Sequence, residues 1–387
     1  MKLALASLTA LTLAFATSAS AEQSAPPPDT DHAQTAYHDL LARFWSGDAA
    51  SGHLERYAVA PRQPGEPQQA GVQKGTLWEY AMGVDAIYAR WKTADDPDAQ
   101  LRLRAMWRWT QSIWSAADVS ACGVGTTSTA QDDATWGAGM MVQFYEATGD
   151  RDALAYAKAM LDCAWTRWSD KATGGGLWYS DDRKQKSAYQ APYAYISLQY
   201  FHLTHDNAYL NRAQSIDIWA SKALSRSMDN LYWEGVAPNG TPIGADAPNQ
   251  IAKARSNTFL AGNMAFAALD AQLYALTRNP AYQARAIHTA TSIAAKEVAP
   301  NGAMLDDRDA YANGWAAYIF MKDVQPLTPV LTRAYRQTGA SIIANDRASD
   351  HTYGGDWDGP PLAWNIVSPS YSLKVTANAA IWAIVAP

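Results

Sequence analysis

The sequence has 387 residues, a formal net charge of −6 and 48% hydrophobic residues. An acidic chain without a run of Lys and Arg is a poor ligand for nucleic acid, so we expect no nucleic-acid partner. Tryptophan (16 residues) and tyrosine (20) outnumber phenylalanine (7). Such rings have a flat apolar face and a polar edge, which suits a sugar, although helix-rich cores also use many aromatic residues.

The N-terminus is typical of a secretory signal peptide over residues 1–21. Lys2 provides the positive end, residues 3–15 the apolar stretch, and small residues precede the expected cleavage site. A retained anchor helix is the alternative, but this stretch is short for a membrane span. We expect a Pro-rich, disordered lead-in over 22–32 and a single catalytic domain over 33–387. The mature chain has no membrane-length apolar run, so we expect a periplasmic or secreted monomer.

Apolar residues recur at spacings of three and four, which predicts an all-α protein. Strand-like alternation is scarce. The pattern predicts twelve helices, at roughly 33–46, 76–93, 98–116, 131–148, 151–168, 186–204, 207–225, 254–277, 280–298, 308–322, 327–344 and 370–384.

A repeated turn organises these helices into pairs. Thr148-Gly149-Asp150, Thr204-His205-Asp206 and Thr277-Arg278-Asn279 each end an apolar helix and place Asp or Asn to cap the next one. Thr93-Ala94-Asp95 is a weaker fourth copy. Within each pair the first helix is more apolar all round, which predicts burial on several faces. We therefore expect six hairpins closed into an (α/α)6 toroid, rather than an open solenoid with exposed terminal repeats.

One pair of adjacent carboxylates, Asp132-Asp133, precedes an apolar run from Trp136 to Tyr145. Other Asp-Asp pairs, at 95–96, 181–182 and 306–307, lie in charged stretches that are typical of solvated turns. Long loops precede the apolar helices, so Asp132-Asp133 should lie on the face where the loops gather. Cleavage of a glycosidic bond needs two carboxyl groups. The alternative is that Asp132 is an N-cap and Asp133 a first-turn charge.

Several short motifs, in this order, resemble glycoside hydrolase family 76, the endo-α-1,6-mannanases. They are Asp132-Asp133-Ala134-Thr135-Trp136, Thr148-Gly149-Asp150, Gly174-Gly175-Gly176-Leu177-Trp178, Lys186-Ser187-Ala188, Glu234-Gly235, Asn257 and Gly355-Asp356-Trp357-Asp358-Gly359-Pro360. The sequence also departs from the family. Gly137 replaces a second Trp, Glu234 replaces an Asp, and Ala188-Tyr189-Gln190-Ala191 replaces a more usual Ala-Ile-Ser-Asn. The resemblance therefore implies a divergent member, with α-mannan as its polysaccharide or oligosaccharide substrate.

The resemblance also implies a retaining mechanism in which Asp132 is the nucleophile and Asp133 the acid/base. Retaining enzymes hold these groups about 5–5.5 Å apart, which neighbouring residues can reach. Seven further residues are candidates for substrate binding, although each could instead pack, cap or pair within the protein: Trp136, Trp178, Lys186, Trp233, Glu234, Asn257 and Trp357. Asp85 could also face the site, but a solvated charge is the favoured interpretation.

The sequence lacks the common motifs for metal-dependent catalysis and for nucleotide binding. The sequence has no His-Glu-x-x-His and no clustered Cys/His set, and no Gly-rich phosphate loop follows a strand. We therefore expect no catalytic metal and no cofactor, although a Ca²⁺ site in the Asp-rich loops stays open. Cys122 and Cys163 form either one disulfide or two buried thiols. Two other functions stay open, namely an unsaturated-uronide hydrolase type of toroidal enzyme and a non-catalytic glycan-binding protein.

Overall fold

The computed structural model describes residues 31–55, 77–115, 131–244, 259–305, 310–354, 357 and 373–386. Within these ranges the chain forms twelve α-helices, one for each predicted segment. They are α1 Asp31–Phe44, α2 Leu77–Ala94, α3 Pro97–Ile113, α4 Gln131–Thr148, α5 Arg151–Trp165, α6 Gln190–Thr204, α7 Asn207–Ala223, α8 Leu260–Thr277, α9 Pro280–Lys296, α10 Ala310–Asp323, α11 Thr332–Ser341 and α12 Leu373–Val385.

Seven two-residue strands are confined to the connections. They are β1 Trp45–Ser46, β2 His53–Leu54, β3 Lys186–Ser187, β4 Ser225–Arg226, β5 Leu231–Tyr232, β6 Gly235–Val236 and β7 Pro242–Ile243. All pairings are antiparallel, and β3, β6 and β7 form a three-stranded ribbon. A short π-helical turn, Ile342–Asp346, continues α11.

The even-numbered helices form a closed inner ring. In the order α2, α4, α6, α8, α10 and α12, each packs against the next, and α12 packs against α2. The outer helices α3, α5, α7 and α9 pack against the inner helix that precedes them, whereas α1 and α11 both pack against α12. The predicted (α/α)6 toroid is confirmed, and the last inner helix is paired with the first helix of the chain.

The difference between inner and outer helices follows from their apolar surfaces. Every residue of α12 is buried, and ten of its thirteen residues are apolar, as expected for a helix covered on all sides. The outer helix α5 instead buries a single stripe, Ala153, Ala157, Met160, Leu161 and Ala164. Such a stripe at helical spacing packs against the inner ring and leaves the opposite face to solvent.

The repeated turn has the same geometry in three places. In the first, the Thr148 hydroxyl donates to the carbonyl of Phe144 (2.6 Å) and accepts from the amide of Asp150 (3.0 Å). The Asp150 carboxylate then accepts from the amide of Asp152 (3.0 Å), which caps α5. Gly149 between them has a φ of 75°. Equivalent hydrogen bonds join α6 to α7 and α8 to α9.

The fourth copy of this turn is one residue longer than expected. Asp95 takes the left-handed position, with a φ of 50°, and Asp96 is the cap of α3. The Asp96 side chain accepts from the amides of Asp98 (3.0 Å) and Ala99 (3.3 Å). The prediction that Asp95 is the cap was therefore wrong by one residue.

No described helix combines the length and apolar character needed to cross a membrane. The expected signal peptide, residues 1–21, lies outside the described residues, as does most of the expected lead-in. Cys163 in α5 is disulfide-bonded. The only other cysteine of the sequence, Cys122, also lies outside the described residues.

Candidate active site

The six inner helices begin at one end of the ring, which we call the loop face. Each inner helix from α2 to α10 is followed by an outer helix that returns the chain to this end. Six helix N-termini therefore point towards the loop face, where their dipoles favour negative charge. Asp132 and Asp133 lie in the first turn of α4, so the ring places both carboxyl groups at this end.

The two carboxyl groups are mostly removed from water. Asp133 is only 7% exposed, and Asp132 is partly buried. The Tyr179 hydroxyl lies 3.4 Å from Oδ2 of Asp132 and donates a hydrogen bond to it. Oδ1 of Asp132 is buried and has no hydrogen-bond partner in the described part of the chain. Asp132 and Asp133 are the second and third residues of α4.

Burial and charge repulsion perturb this pair. The pKa of Asp132 is raised to about 7, mainly by burial and then by the neighbouring Asp133 charge, while hydrogen bonds from Tyr179 and from backbone amides oppose the rise. Because the two groups are adjacent, they titrate as a unit. We infer that near neutral pH the pair carries about one proton and one negative charge, the state in which one group can donate and the other can attack.

Tyr179 belongs to the connection between α5 and β3, which is held by several side chains. The Tyr179 amide donates to the carbonyl of Gln185 (2.9 Å), and Arg167 donates to the Tyr179 carbonyl (3.1 Å). Gln190, at the start of α6, binds both the amide (2.6 Å) and the carbonyl (3.1 Å) of Leu177. These contacts fix the backbone on both sides of Tyr179.

Lys186 stabilises the same connection from within. The side chain is fully buried, and burial lowers the pKa of its ammonium to about 8. The ammonium donates to four backbone carbonyls of the connection, those of Ser169, Lys171, Ala172 and Gly175. It also lies 4.7 Å from the centre of the Trp178 ring. The structure therefore places this predicted substrate ligand inside the loop, with its donors already used.

Three of the predicted sugar-binding tryptophans are buried. Trp136 is 5% exposed and meets Trp315 edge-on, with ring centres 5.4 Å apart. Trp178 is also buried, beneath the Lys186 ammonium. Trp357 is 1% exposed and packs against Trp382 at 5.2 Å. Of the two interpretations open for Trp178 and Trp357, substrate binding or packing within the protein, the structure shows packing for both rings.

Trp233 and Glu234 stay partly exposed. The guanidinium of Arg226 lies 4.5 Å from the Trp233 ring centre. The Glu234 carbonyl accepts from the amide of Ala188 (2.7 Å) and from the hydroxyl of Ser187 (3.2 Å), which ties this segment to β3. Asn257, another predicted substrate ligand, lies outside the described residues. Trp233 and Glu234 are thus the predicted ligands that keep surface available in the described part of the chain.

Sequence reasoning missed a row of aromatic rings next to Asp132. The Tyr179 ring stacks on Tyr189 (6.0 Å between centres), and Tyr189 meets Phe259 edge-on (4.7 Å). This row links the connection before β3 to the starts of α6 and α8. The sequence contains only a weak indication that Tyr179 belongs to the site, namely its position directly after the Gly-rich stretch and Trp178.

Asp85 is buried rather than solvated, so the favoured interpretation of this residue was wrong. It lies in the middle of α2, where Gln143 of α4 donates to its carboxyl group at 2.5 Å. Burial raises the pKa of Asp85 to about 7. Gln143 is separated from Asp132 by eleven residues of one helix, or about 16 Å along its axis. Asp85 is therefore deep in the ring and apart from the Asp132-Asp133 pair.

No group of three or more described His, Cys, Asp or Glu side chains is arranged to hold a metal ion.

No family model and no curated protein matches this chain, whereas solved structures do. A family 76 α-1,6-mannanase from Salegentibacter sp. HEL1_6 is 15% identical, with a TM-score of 0.67 over 92% of this chain and 98% of that one. An inactive variant of that enzyme, with two adjacent aspartates changed to asparagine, was solved with α-1,6-mannotriose (14% identity, TM-score 0.67, the same coverage). A family 76 mannosidase from Bacteroides thetaiotaomicron is 16% identical, with a TM-score of 0.67 over 92% and 97% of the two chains. This chain therefore has the (α/α)6 fold of the glycoside hydrolase family 76 α-1,6-mannanases.

Proposed function

We propose that this protein is a divergent member of glycoside hydrolase family 76 and a retaining glycosidase that cleaves α-1,6-mannosidic linkages within α-mannan. The observation that carries the proposal is the pair of adjacent, largely buried carboxyl groups of Asp132 and Asp133 at the loop face of the ring. A shared proton on such a pair provides a nucleophile and an acid in one place.

In the proposed reaction, a carboxylate oxygen of Asp132 attacks the anomeric carbon of mannose. The bond from that carbon to the glycosidic oxygen breaks, and the carboxyl proton of Asp133 goes to the departing oxygen. A water molecule then attacks the same carbon and breaks the ester to Asp132, while the Asp133 carboxylate takes the proton of the water. The product keeps the anomeric configuration, and both aspartates return to their starting states.

The surroundings of the pair support this chemistry. The N-terminus of α4 favours a negative charge on the first turn, which stabilises an ionised nucleophile. Burial raises the pKa of Asp132, and the proximity of Asp133 adds to the rise, so a proton is retained by the pair at neutral pH. The inactive Salegentibacter variant, in which two adjacent aspartates are replaced, agrees with a function for such a pair.

We propose that Trp233 and Glu234 contact the mannan chain, because their side chains keep exposed surface beside β3. Asn257, which precedes the first residue of α8 by three positions in the sequence, stays a proposed ligand. We further propose that residues 1–21 direct export and that the protein acts as a monomer in the periplasm or outside the cell.

A glycan-binding protein without catalysis is the second candidate. The observation that favours it is the change of two family positions, Gly137 and Glu234. Measurable binding of α-1,6-mannooligosaccharides without turnover would favour this candidate over the glycosidase.

The decisive experiment is digestion of a linear α-1,6-mannan, followed by mass analysis of the products and NMR of the first anomer released. We expect internal cleavage and an α-anomer. The Asp132→Asn and Asp133→Asn variants should lose about 10³-fold or more of the activity with little change in thermal unfolding. Asp182→Asn is the matched control, because Asp182 belongs to another Asp-Asp pair and is solvent-exposed. Full activity in both pair variants would exclude the proposed mechanism.

A further inference from the structure

We propose that Tyr179 is a positioning residue whose hydroxyl stabilises negative charge on Asp132 and thereby assists Asp132 as the nucleophile of the pair. The catalytic part of this inference rests on the proposed glycosidase function. The charge-holding part concerns the protein alone and can be tested without substrate.

The first support is that Tyr179 binds the start of α4 at two points. Its carbonyl accepts from the amide of Gln131 at 2.7 Å, and its hydroxyl donates to Oδ2 of Asp132 at 3.4 Å. Backbone and side chain of one residue thus fix both the beginning of the helix and the orientation of the carboxyl group. Oδ1 of Asp132 is buried and has no hydrogen-bond partner in the described part of the chain, so the Tyr179 bond to Oδ2 is a side-chain contact that orients this carboxyl group.

The second support is the identity of the group that receives the bond. Adjacent carboxyl groups in a buried site cannot both stay ionised at low cost, so one proton is shared between them. A hydroxyl donor stabilises the ionised form of the group to which it donates. Since the Tyr179 hydroxyl donates to Asp132, it lowers the pKa of Asp132 against burial and the Asp133 charge, which raise it, and so shifts the shared proton towards Asp133. The residue that keeps the charge becomes the nucleophile, and its neighbour becomes the acid.

The third support is the rigidity of the connection that carries Tyr179. Arg167 and Gln185 hold its backbone, and its ring stacks on Tyr189. The fully buried Lys186 ammonium organises the residues before it. At 3.4 Å the hydroxyl bond is long, as expected for a catalytic contact that tightens only when substrate excludes water.

The test is a Tyr179→Phe variant, which keeps the ring and its stacking but removes the hydroxyl. We expect kcat on α-1,6-mannan to fall roughly tenfold, while KM changes less than about twofold. The acid limb of the pH–kcat profile should move to higher pH, because Asp132 becomes harder to ionise. Tyr193→Phe is the control, since Tyr193 loses a comparable bond, to the carbonyl of Leu161 (3.0 Å), at a different place. We expect wild-type kcat and an unshifted profile in this control.

A second readout separates this inference from the proposed function. Carboxyl ¹³C NMR of labelled aspartates, without substrate, should give a higher apparent pKa for the Asp132-Asp133 pair in Tyr179→Phe than in the wild type. In an Asp132→Asn background the same substitution should change the Asp133 titration little. If the wild type does not cleave mannan but the titration shifts, the function fails and the charge-holding inference stands. An unchanged titration, with kcat equal to the wild type where mannan is cleaved, overturns the inference.

Discussion

Asp39 of α1 accepts two hydrogen bonds from Arg347, at 2.6 Å from Nε and 2.9 Å from Nη2, although 308 residues separate the two. The Tyr353 hydroxyl donates to the same buried carboxylate. This network joins the first helix to the segment that follows α11 and the π-helical turn. These hydrogen bonds therefore connect α1 to the chain after α11, two parts of the protein that both pack near α12.

We expect Asp39→Ala to lower the free energy of unfolding by about 3 kcal/mol, because it leaves a partly buried guanidinium and a buried phenol without their acceptor. Urea denaturation measures the change. Asp98→Ala is the control, since the Asp98–Arg102 pair is exposed and such pairs contribute below about 1 kcal/mol. Equal losses in the two variants would show that the Asp39 network does not secure the ring.

Asp85→Asn should stabilise the protein at pH 8 but not at pH 4. Burial raises the folded-state pKa of Asp85 from 3.8 to about 7. A raised carboxyl pKa means that the folded state binds the proton more tightly, so stability is lost as pH rises from about 4 to about 7. An amide removes this dependence while keeping a group for Gln143 to contact. Thermal unfolding of both proteins at the two pH values is the measurement, and an equal difference at both would contradict the assignment.

Lys186→Met should loosen the connection before β3 and lower kcat. The variant leaves four carbonyls, among them the buried carbonyl of Gly175, without the ammonium that binds them, which we expect to cost about 3 kcal/mol of stability. Lys186→Arg should also lower stability and kcat, because a planar guanidinium cannot contact the four carbonyls that surround the compact ammonium. Hydrogen exchange over residues 167–185 is the measurement. Lys184→Met, which changes an exposed side chain two residues away, should leave exchange and kcat as in the wild type.

Trp233→Ala and Trp357→Ala should differ in what they damage. Trp233 is partly exposed, so its removal should raise KM for α-mannooligosaccharides several-fold with a small change in stability. Trp357 is buried against Trp382, so its truncation should cost about 3–5 kcal/mol of stability. Binding titrations and urea denaturation on both variants are the measurements. A Trp233→Ala variant with unchanged KM would remove Trp233 from the proposed binding surface.

The fold was predictable because its signals are local. Helical spacing of apolar residues marks each of the twelve helices, and the Thr and Asp side chains of the repeated turn act within four residues of one another. The site was predictable in part for the same reason, since Asp132 and Asp133 are adjacent and precede an apolar run. One local prediction was still wrong. Asp95 was expected to cap α3, but the adjacent Asp96 is the cap.

The remaining features depend on contacts between distant residues. The bond from Tyr179 to Asp132 spans 47 residues and has no sequence signature. Trp178 and Trp357 both lie close to glycines in the sequence, which made them candidates for substrate binding. Their rings are instead covered by distant partners, Lys186 for Trp178 and Trp382 for Trp357. Asp85 was expected in solvent because a lone carboxylate is usually exposed, and only the partner Gln143 explains its place.

The pairing of α12 with α1 and α2 has a consequence for biosynthesis. α12 follows the other eleven described helices in the chain, yet it packs against the first two of them, and all of its residues are buried in the ring. A nascent chain that ends at α11 therefore leaves uncovered the apolar side chains of α2 and α10 that α12 would contact. The ring can therefore close only after α12 has been synthesised, and a chain that stops before α12 should aggregate through this uncovered apolar surface.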